Sequence, residues 1–200
     1  PKIIVAPSDQ LDLCNTIPEL FNLVDKYQCP GLLLSDLLIS EGTASVDPEL
    51  MDLHPTIDRG EIIMPNGDDN GDNPFGGYCD DAYWRYKNTE SGISPRALPG
   101  TPGHIHVVAS DEHDEDGTLI SDEFTNPDKR RMMVEKRARK MSTVLDQIPP
   151  PELFGPEEAE VMLVGWGSTE GVIQEGIEQL LRDDVLPDPQ HGCLLYTSDA

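Results

Sequence analysis

In residues 91–103 (SGISPRALPGTPG) a loop stiffened by Gly and Pro displays Ser94 and Arg96. A guanidinium is planar, permanently charged and forked, so it suits a carboxylate or phosphate. Ser94 and Arg96 are therefore the side chains on offer for holding an anionic ligand. The plainer reading is an arginine that staples its own loop to nearby carboxylates. A second stretch is acidic: Glu112, Asp114, Asp116, Gly117, Leu119 and Glu123 fall at positions 1, 3, 5, 6, 8 and 12 of an EF-hand-like loop. Position 1 is usually Asp, and the text before Glu112 is strand-like rather than helical. A solvated acidic turn competes there with a Ca2+ site.

Other polar residues form weaker patterns. His54, His104, His106, His113 and His191 make no HxxxH or HExxH spacing and read as ordinary hydrogen-bonded or surface histidines. The turn GWGST at residues 165–169 is superficially like a phosphate-binding turn but lacks both GxGxxG and GKS/T. Lys129, Arg130, Arg131, Lys136, Arg137, Arg139 and Lys140 hold half of the chain's 14 basic residues. Alone they would suggest nucleic acid or an acidic partner. Spread around a helix in an acidic chain, they are expected to pair with Asp and Glu at home.

These residues need elements to position them. Residues 3–6 form an apolar strand, residues 7–9 (PSD) suit a helix cap, and Leu13, Ile17, Leu20, Phe21 and Val24 recur at helical spacing to about Tyr27. Pro18 marks a kink or a late start. Residues 31–39 form an apolar run of strand length, so strand, helix, strand makes a parallel crossover. Residues 41–103 are rich in Gly, Pro, Asn and Asp, densest at 65–77, and predict a long surface connection that is functional or covers a partner. Residues 104–109 (HIHVVA) return to strand alternation. Asn126 and Pro127 suit the cap and first residue of a helix running to about Ile148, which the prolines at 149–151 end. Residues 159–164 predict a strand and 169–181 a helix, the opening of a second α/β domain.

With 38 acidic residues against 14 basic ones, the net charge is −24. Nucleic acid, which needs the opposite sign, is a poor partner. Such a surface repels itself unless salt screens it, so the expectation is a salt-adapted source. No run approaches the ~20 apolar residues of a membrane span. Residues 193–200 (CLLYTSDA) back-translate to a string resembling a transposase adapter of shotgun sequencing and are set aside as read-through. The opening residues, with no Met, read as a strand already under way, so the chain reads as a piece cut at both ends. Without the tail, Cys14, Cys29 and Cys79 are too scattered for zinc, an iron–sulfur cluster or a disulfide framework, pointing to a reducing compartment, the cytoplasm.

Five collinear segments carry a resemblance: KYQCPGLLLSDLLIS, SGISPRALPGTPG, HIHVVASDEHDEDG, RRMMVEKRARK and VMLVGWGSTEGVIQEGIEQL. From residue 1 to about 186 the chain resembles the α subunit of 2-oxoacid:ferredoxin oxidoreductases, of the 2-oxoglutarate type. Residues 65–77 and the single Gly103 before His104 depart from that pattern.

The resemblance implies an α/β chain. The end of a thiamine diphosphate pyrimidine-binding domain (1–150, with the long loop and linker helix) would be followed by the start of a transketolase C-terminal-like α/β domain (151–192). It further implies an enzyme that oxidatively decarboxylates a 2-oxoacid onto coenzyme A and passes the electrons to ferredoxin. In that resemblance thiamine diphosphate would supply the electron sink for the loss of CO2 from the oxoacid. The diphosphate, its Mg2+ and a 4Fe–4S cluster would belong mainly to a β subunit. In such a family the activating carboxylate and the main substrate segments lie upstream of Pro1, so no catalytic residue and no metal ligand is assigned here. Ser94 and Arg96 remain as candidates for contact with substrate or coenzyme A. A Ca2+-binding module and a non-catalytic interaction subunit are the alternatives.

Overall fold

The computed structural model describes residues 1–63, 83–108, 110–120, 126–148, 153–154, 162–183 and 193–196. The stretch 65–77, Cys79, Glu123, the prolines at 149–151 and His191 lie outside them. The chain forms two compact units: Pro1 with 25–28 and 58–146, and 2–24 with 29–57 and 147–200.

The second unit opens with β1 (Ile3–Val5), whose Ile3 and Val5 are buried. Asp9 accepts from the Asp12 amide at 2.8 Å and Asp12 accepts from the Ser8 amide at 2.8 Å. These carboxylates satisfy amides that the start of a helix leaves without partners. The helix is α1 (Gln10–Tyr27), which continues past Pro18, losing one backbone bond there without ending. β2 (Gly31–Leu33) pairs parallel with β1, Ile3 opposite Gly31. A Cβ at Gly31 would meet Val24 Cγ2 at 2.5 Å, so only glycine lets β2 start this close under α1.

The apolar run expected as one strand over 31–39 stops early. Asp36 Oδ1 accepts from the Ile39 amide at 3.0 Å and caps α2 (Leu37–Glu41), so a side-chain cap splits a run whose composition fitted either state. The returning segment is strapped to α1 by amide side chains: Asn15 Nδ2 donates to Leu50 O at 3.2 Å and Asn22 Nδ2 to Thr56 O at 2.7 Å. Further on come β5 (Leu153–Phe154), β6 (Met162–Gly165), α4 (Thr169–Arg182) and β7 (Cys193–Tyr196), in sheet order β5-β7-β6. β7 is the start of the tail set aside above. A short apolar run pairs with any open strand edge, so its place between β5 and β6 says nothing of its origin.

The other unit holds the last turn of α1, a minimal parallel pair β3 (Ile62–Ile63) with β4 (Arg96–Ala97), and α3 (Pro127–Leu145). Asn126 caps α3, its side chain accepting from the Lys129 amide at 3.1 Å. The inward face of α3 carries Met133, Lys136, Lys140 and Val144, and Tyr27, Ile63, Ile93 and Ile120 are buried in the same unit.

Residues 104–108 do not form the expected strand. Their backbone joins no ladder among the described residues, and Ile105 is 91% exposed. His104 turns back to Pro102 O at 2.7 Å while Tyr83 stands edge-on to both His104 and His106. Alternation alone makes no strand without a neighbour to pair with.

Candidate functional site

The loop bearing Ser94 and Arg96 is held from three sides within its unit. α1 ends at Tyr27, and Gln28 takes a left-handed φ of 50°, which turns the chain out of the helix. That turn makes Gln28 a hub. Its Nε2 donates to Ser94 O at 2.6 Å, its Oε1 accepts from Arg85 Nη1 at 2.8 Å, and its backbone carbonyl accepts from Lys140 Nζ at 2.8 Å.

Ser94 is 2% exposed. Its hydroxyl donates to Lys87 O at 2.9 Å and accepts from Lys136 Nζ at 2.6 Å. Lys136 Nζ also donates to Tyr86 O at 2.9 Å. Burial pushes the Lys136 amine down to about 8, and the charges of Lys140 and Arg85 push the same way.

Arg96 lies at the rim. Its Nη2 bonds to Asp25 Oδ1 at 3.2 Å and Arg59 O at 3.1 Å, while Arg59 Nη1 takes the other Asp25 oxygen at 2.8 Å. Arg96 Nε is buried without a hydrogen-bond partner among the described residues, and 26% of the side chain is exposed. The backbone beneath is fixed: Arg96 N donates to Glu61 O at 3.0 Å and Ala97 N to the Tyr83 hydroxyl at 3.1 Å. Beside it, Asp58 lies below the usual carboxylate range because it accepts from the Gly60 amide, with Lys26 adding to the effect.

Three carboxylates of the acidic loop, Glu112, Asp114 and Asp116, are already engaged. Arg137 holds both oxygens of Glu112 at 2.7 Å, Lys129 pairs with Asp114, and Asp116 accepts from the Thr118 amide at 2.8 Å. The segment closes as a tight turn, Ile120 N to Glu112 O at 2.8 Å, with His113 bridged to Leu119. Among the described residues no group of three His, Cys, Asp or Glu side chains is placed to hold a metal ion. The basic residues of α3 thus divide. Lys129, Arg131 and Arg137 pair with carboxylates as expected, whereas Lys136 and Lys140 point inward to carbonyls.

In the other unit, the GWGST turn is closed by Asp36 and by its own Thr169. Asp36 Oδ2 accepts from the Ser168 amide at 3.0 Å, and Thr169 Oγ1 bonds back to Trp166 O at 2.6 Å. The hydrogen bonds from Ser168 and Ile39 hold the Asp36 carboxyl below its usual range. The amide that would greet a phosphate already has a carboxylate.

Gln28, Asp25 and the lysines of α3 are the site residues missed from sequence. One signal was readable: Met133, Lys136, Lys140 and Val144 recur at helical spacing, which sets both lysines on the apolar stripe. Gln28 and Asp25 carry no local signal.

Parallel strand pairs with intervening helices make this a mixed α/β chain, and its relatives make the class specific. No family model matches it. It is 35% identical to 2-oxoacid:ferredoxin oxidoreductase 2, subunit alpha, of Aeropyrum pernix, covering 92% of this chain and 26% of that protein. It is 30% identical to the 2-oxoglutarate oxidoreductase subunit KorA of Mycobacterium tuberculosis, covering 91% of this chain and 25% of that protein. Among solved structures, 2-oxoglutarate:ferredoxin oxidoreductase from Magnetococcus marinus, with 2-oxoglutarate, coenzyme A and succinyl-CoA bound, matches with a TM-score of 0.73 at 29% identity. That match covers 100% of this chain and 31% of the other. The chain belongs, over the stretch it spans, to the α subunits of the 2-oxoacid:ferredoxin oxidoreductases. It spans about a quarter of the length of the curated relatives it matches.

Proposed function

We propose that this chain is part of the α subunit of an enzyme that oxidatively decarboxylates a 2-oxoacid, 2-oxoglutarate first among candidates, to acyl-CoA and CO2, with ferredoxin taking the electrons. The supporting observation is agreement with such α subunits over more than nine-tenths of the chain, together with the likeness to an enzyme solved with 2-oxoglutarate, coenzyme A and succinyl-CoA. In this reading residues 1–150 complete a pyrimidine-binding domain, and residues 151–192 begin a transketolase C-terminal-like one. No described residue offers a metal site. Thiamine diphosphate with its Mg2+ is assigned to a site shared with or held by a β partner, the 4Fe–4S cluster is assigned to that partner, and no chemical step is assigned to side chains here. No described helix is long and apolar enough to cross a membrane; a cytoplasmic complex is the proposed setting.

Within it, Ser94 and Arg96 are the residues we assign to the ligand-facing loop, Arg96 for contact with the oxoacid or coenzyme A and Ser94 for holding that loop in place. Ser94 acts by position, since its hydroxyl is engaged on both sides. Arg96 is the one able to meet an anion, because part of its guanidinium stays exposed. The competing reading, a staple between the loop and Asp25, is favoured by the 3.2 Å ion pair.

The test is a full-length α subunit containing this stretch, co-expressed with its β subunit. Ferredoxin reduction should require oxoacid, coenzyme A and thiamine diphosphate together. Turnover without thiamine diphosphate, or failure to bind a cluster-bearing partner, ends the proposal. In the same complex Arg96→Ala should raise KM for oxoacid or coenzyme A about tenfold, the worth of one charged hydrogen bond. Unchanged KM values with a lowered Tm would make Arg96 a staple only.

A further inference from the structure

Lys136 has no part in the proposed ligand contact, yet it is 6% exposed and sits against the very loop that carries Arg96. Among the described residues no carboxylate forms an ion pair with it. Its Nζ has two acceptors, Tyr86 O and Ser94 Oγ. A neutral amine has two N–H groups and both are used; an ammonium carries a third.

The charged neighbours are Lys140 and Arg137 on α3, Arg85 on the loop and Glu115 on the acidic turn. Gln28, at the end of α1, binds both Arg85 and Lys140. One carboxylate thus faces three cations, and the balance disfavours a further positive charge. The packing leaves little room to adjust, since a Cβ at Gly92 would lie 2.5 Å from Lys136 O.

We propose that Lys136 is a titrating pin: with its amine neutral it holds residues 86–94, and with them the Arg96 loop, onto α3 more tightly than when it is protonated. The pin is a property of this unit and stands whether or not Arg96 meets a ligand.

The direction follows from linkage. In place, the amine gives up its proton at about 8, whereas a freely exposed lysine keeps it to 10.5. Between those values the attached state binds fewer protons than the detached one, so attachment strengthens as pH rises. Below about 8 both states are protonated and the effect is flat. Across the window the detached-to-attached ratio falls about tenfold per pH unit.

The experiment uses the full chain with nitrogen-labelled lysine. The Lys136 Nζ resonance should titrate near 8, apart from the surface lysines. A subtilisin-type protease, active throughout, then reads cleavage within residues 86–94 from about pH 7 to about pH 10.5, relative to an unstructured peptide of the same sequence. Cleavage should slow about tenfold per unit above pH 8. K136Q, neutral with two N–H donors, should make the ratio flat, and K140M, which removes a neighbouring charge, should move the Lys136 titration upward. A Lys136 that titrates with the surface lysines, or a wild-type ratio that is flat across the window, overturns the proposal. Both of those readouts use the wild-type chain and stand even if K136Q does not fold.

Discussion

Glu112 and Arg137 show how single residues here trade one role for another. Arg137 meets both oxygens of Glu112 at 2.7 Å, and that contact holds the Glu112 carboxyl below its ordinary 4.5, outweighing a desolvation that would raise it. A carboxyl depressed on folding adds stability that is present above 4.5 and is lost as pH falls through its folded value. Glu112→Gln should therefore cost about 1 kcal/mol at neutral pH and progressively less in acid. Urea midpoints of both forms at about pH 7 and about pH 3 would show it; a gap of the same size at both would mean the pair does not set local stability. A carboxylate so engaged is not on offer to Ca2+, although its spacing in the chain allowed it.

Among the elements, α3 is the one whose packing decides the candidate site. Its backbone runs so close to the loop that Gly92, at φ +80°, would put a Cβ 2.5 Å from Lys136 O and 2.9 Å from Lys140 N. Gly100 makes a fair comparison: its φ of +91° carries the same conformational strain with nothing within 4 Å of the added carbon. Gly100→Ala should cost about 1 kcal/mol, and Gly92→Ala a further ~2 kcal/mol or more, since backbone must move. Equal costs by denaturant titration would remove the argument from close approach. α1 and α4 were legible because apolar residues repeat at helical spacing, and α3 because Asn126 and Pro127 open it and prolines follow it. The break between β2 and α2 was not, because one Asp36 hydrogen bond decides it. Residues 104–108 misled for a related reason: alternation reports a face, but a strand needs a neighbour.

For the whole molecule the governing quantity is the net charge of −24. Unscreened, that surface opposes compaction, and the few described ion pairs offset little of it. Thermal melts should move upward as NaCl rises from about 0.1 M to about 2 M, where the screening length shrinks to a few ångströms. A Tm that stays level or falls would remove the reading of a salt-adapted chain.

Read alone, the chain of residues determined the periodic helices, the α/β class, the family and the loop that displays Ser94 and Arg96, because each is written in short-range spacing or in collinear text. Tertiary structure decided what those residues are free to do. It buried Ser94 between Lys87 and Lys136, gave Arg96 to Asp25 and turned two lysines of a basic helix inward. It also made Gln28 the joint of the site through a bond to Ser94, 66 residues away. Such bonds join positions far apart in sequence, and their partners are set by how helix and loop pack, which no local pattern encodes.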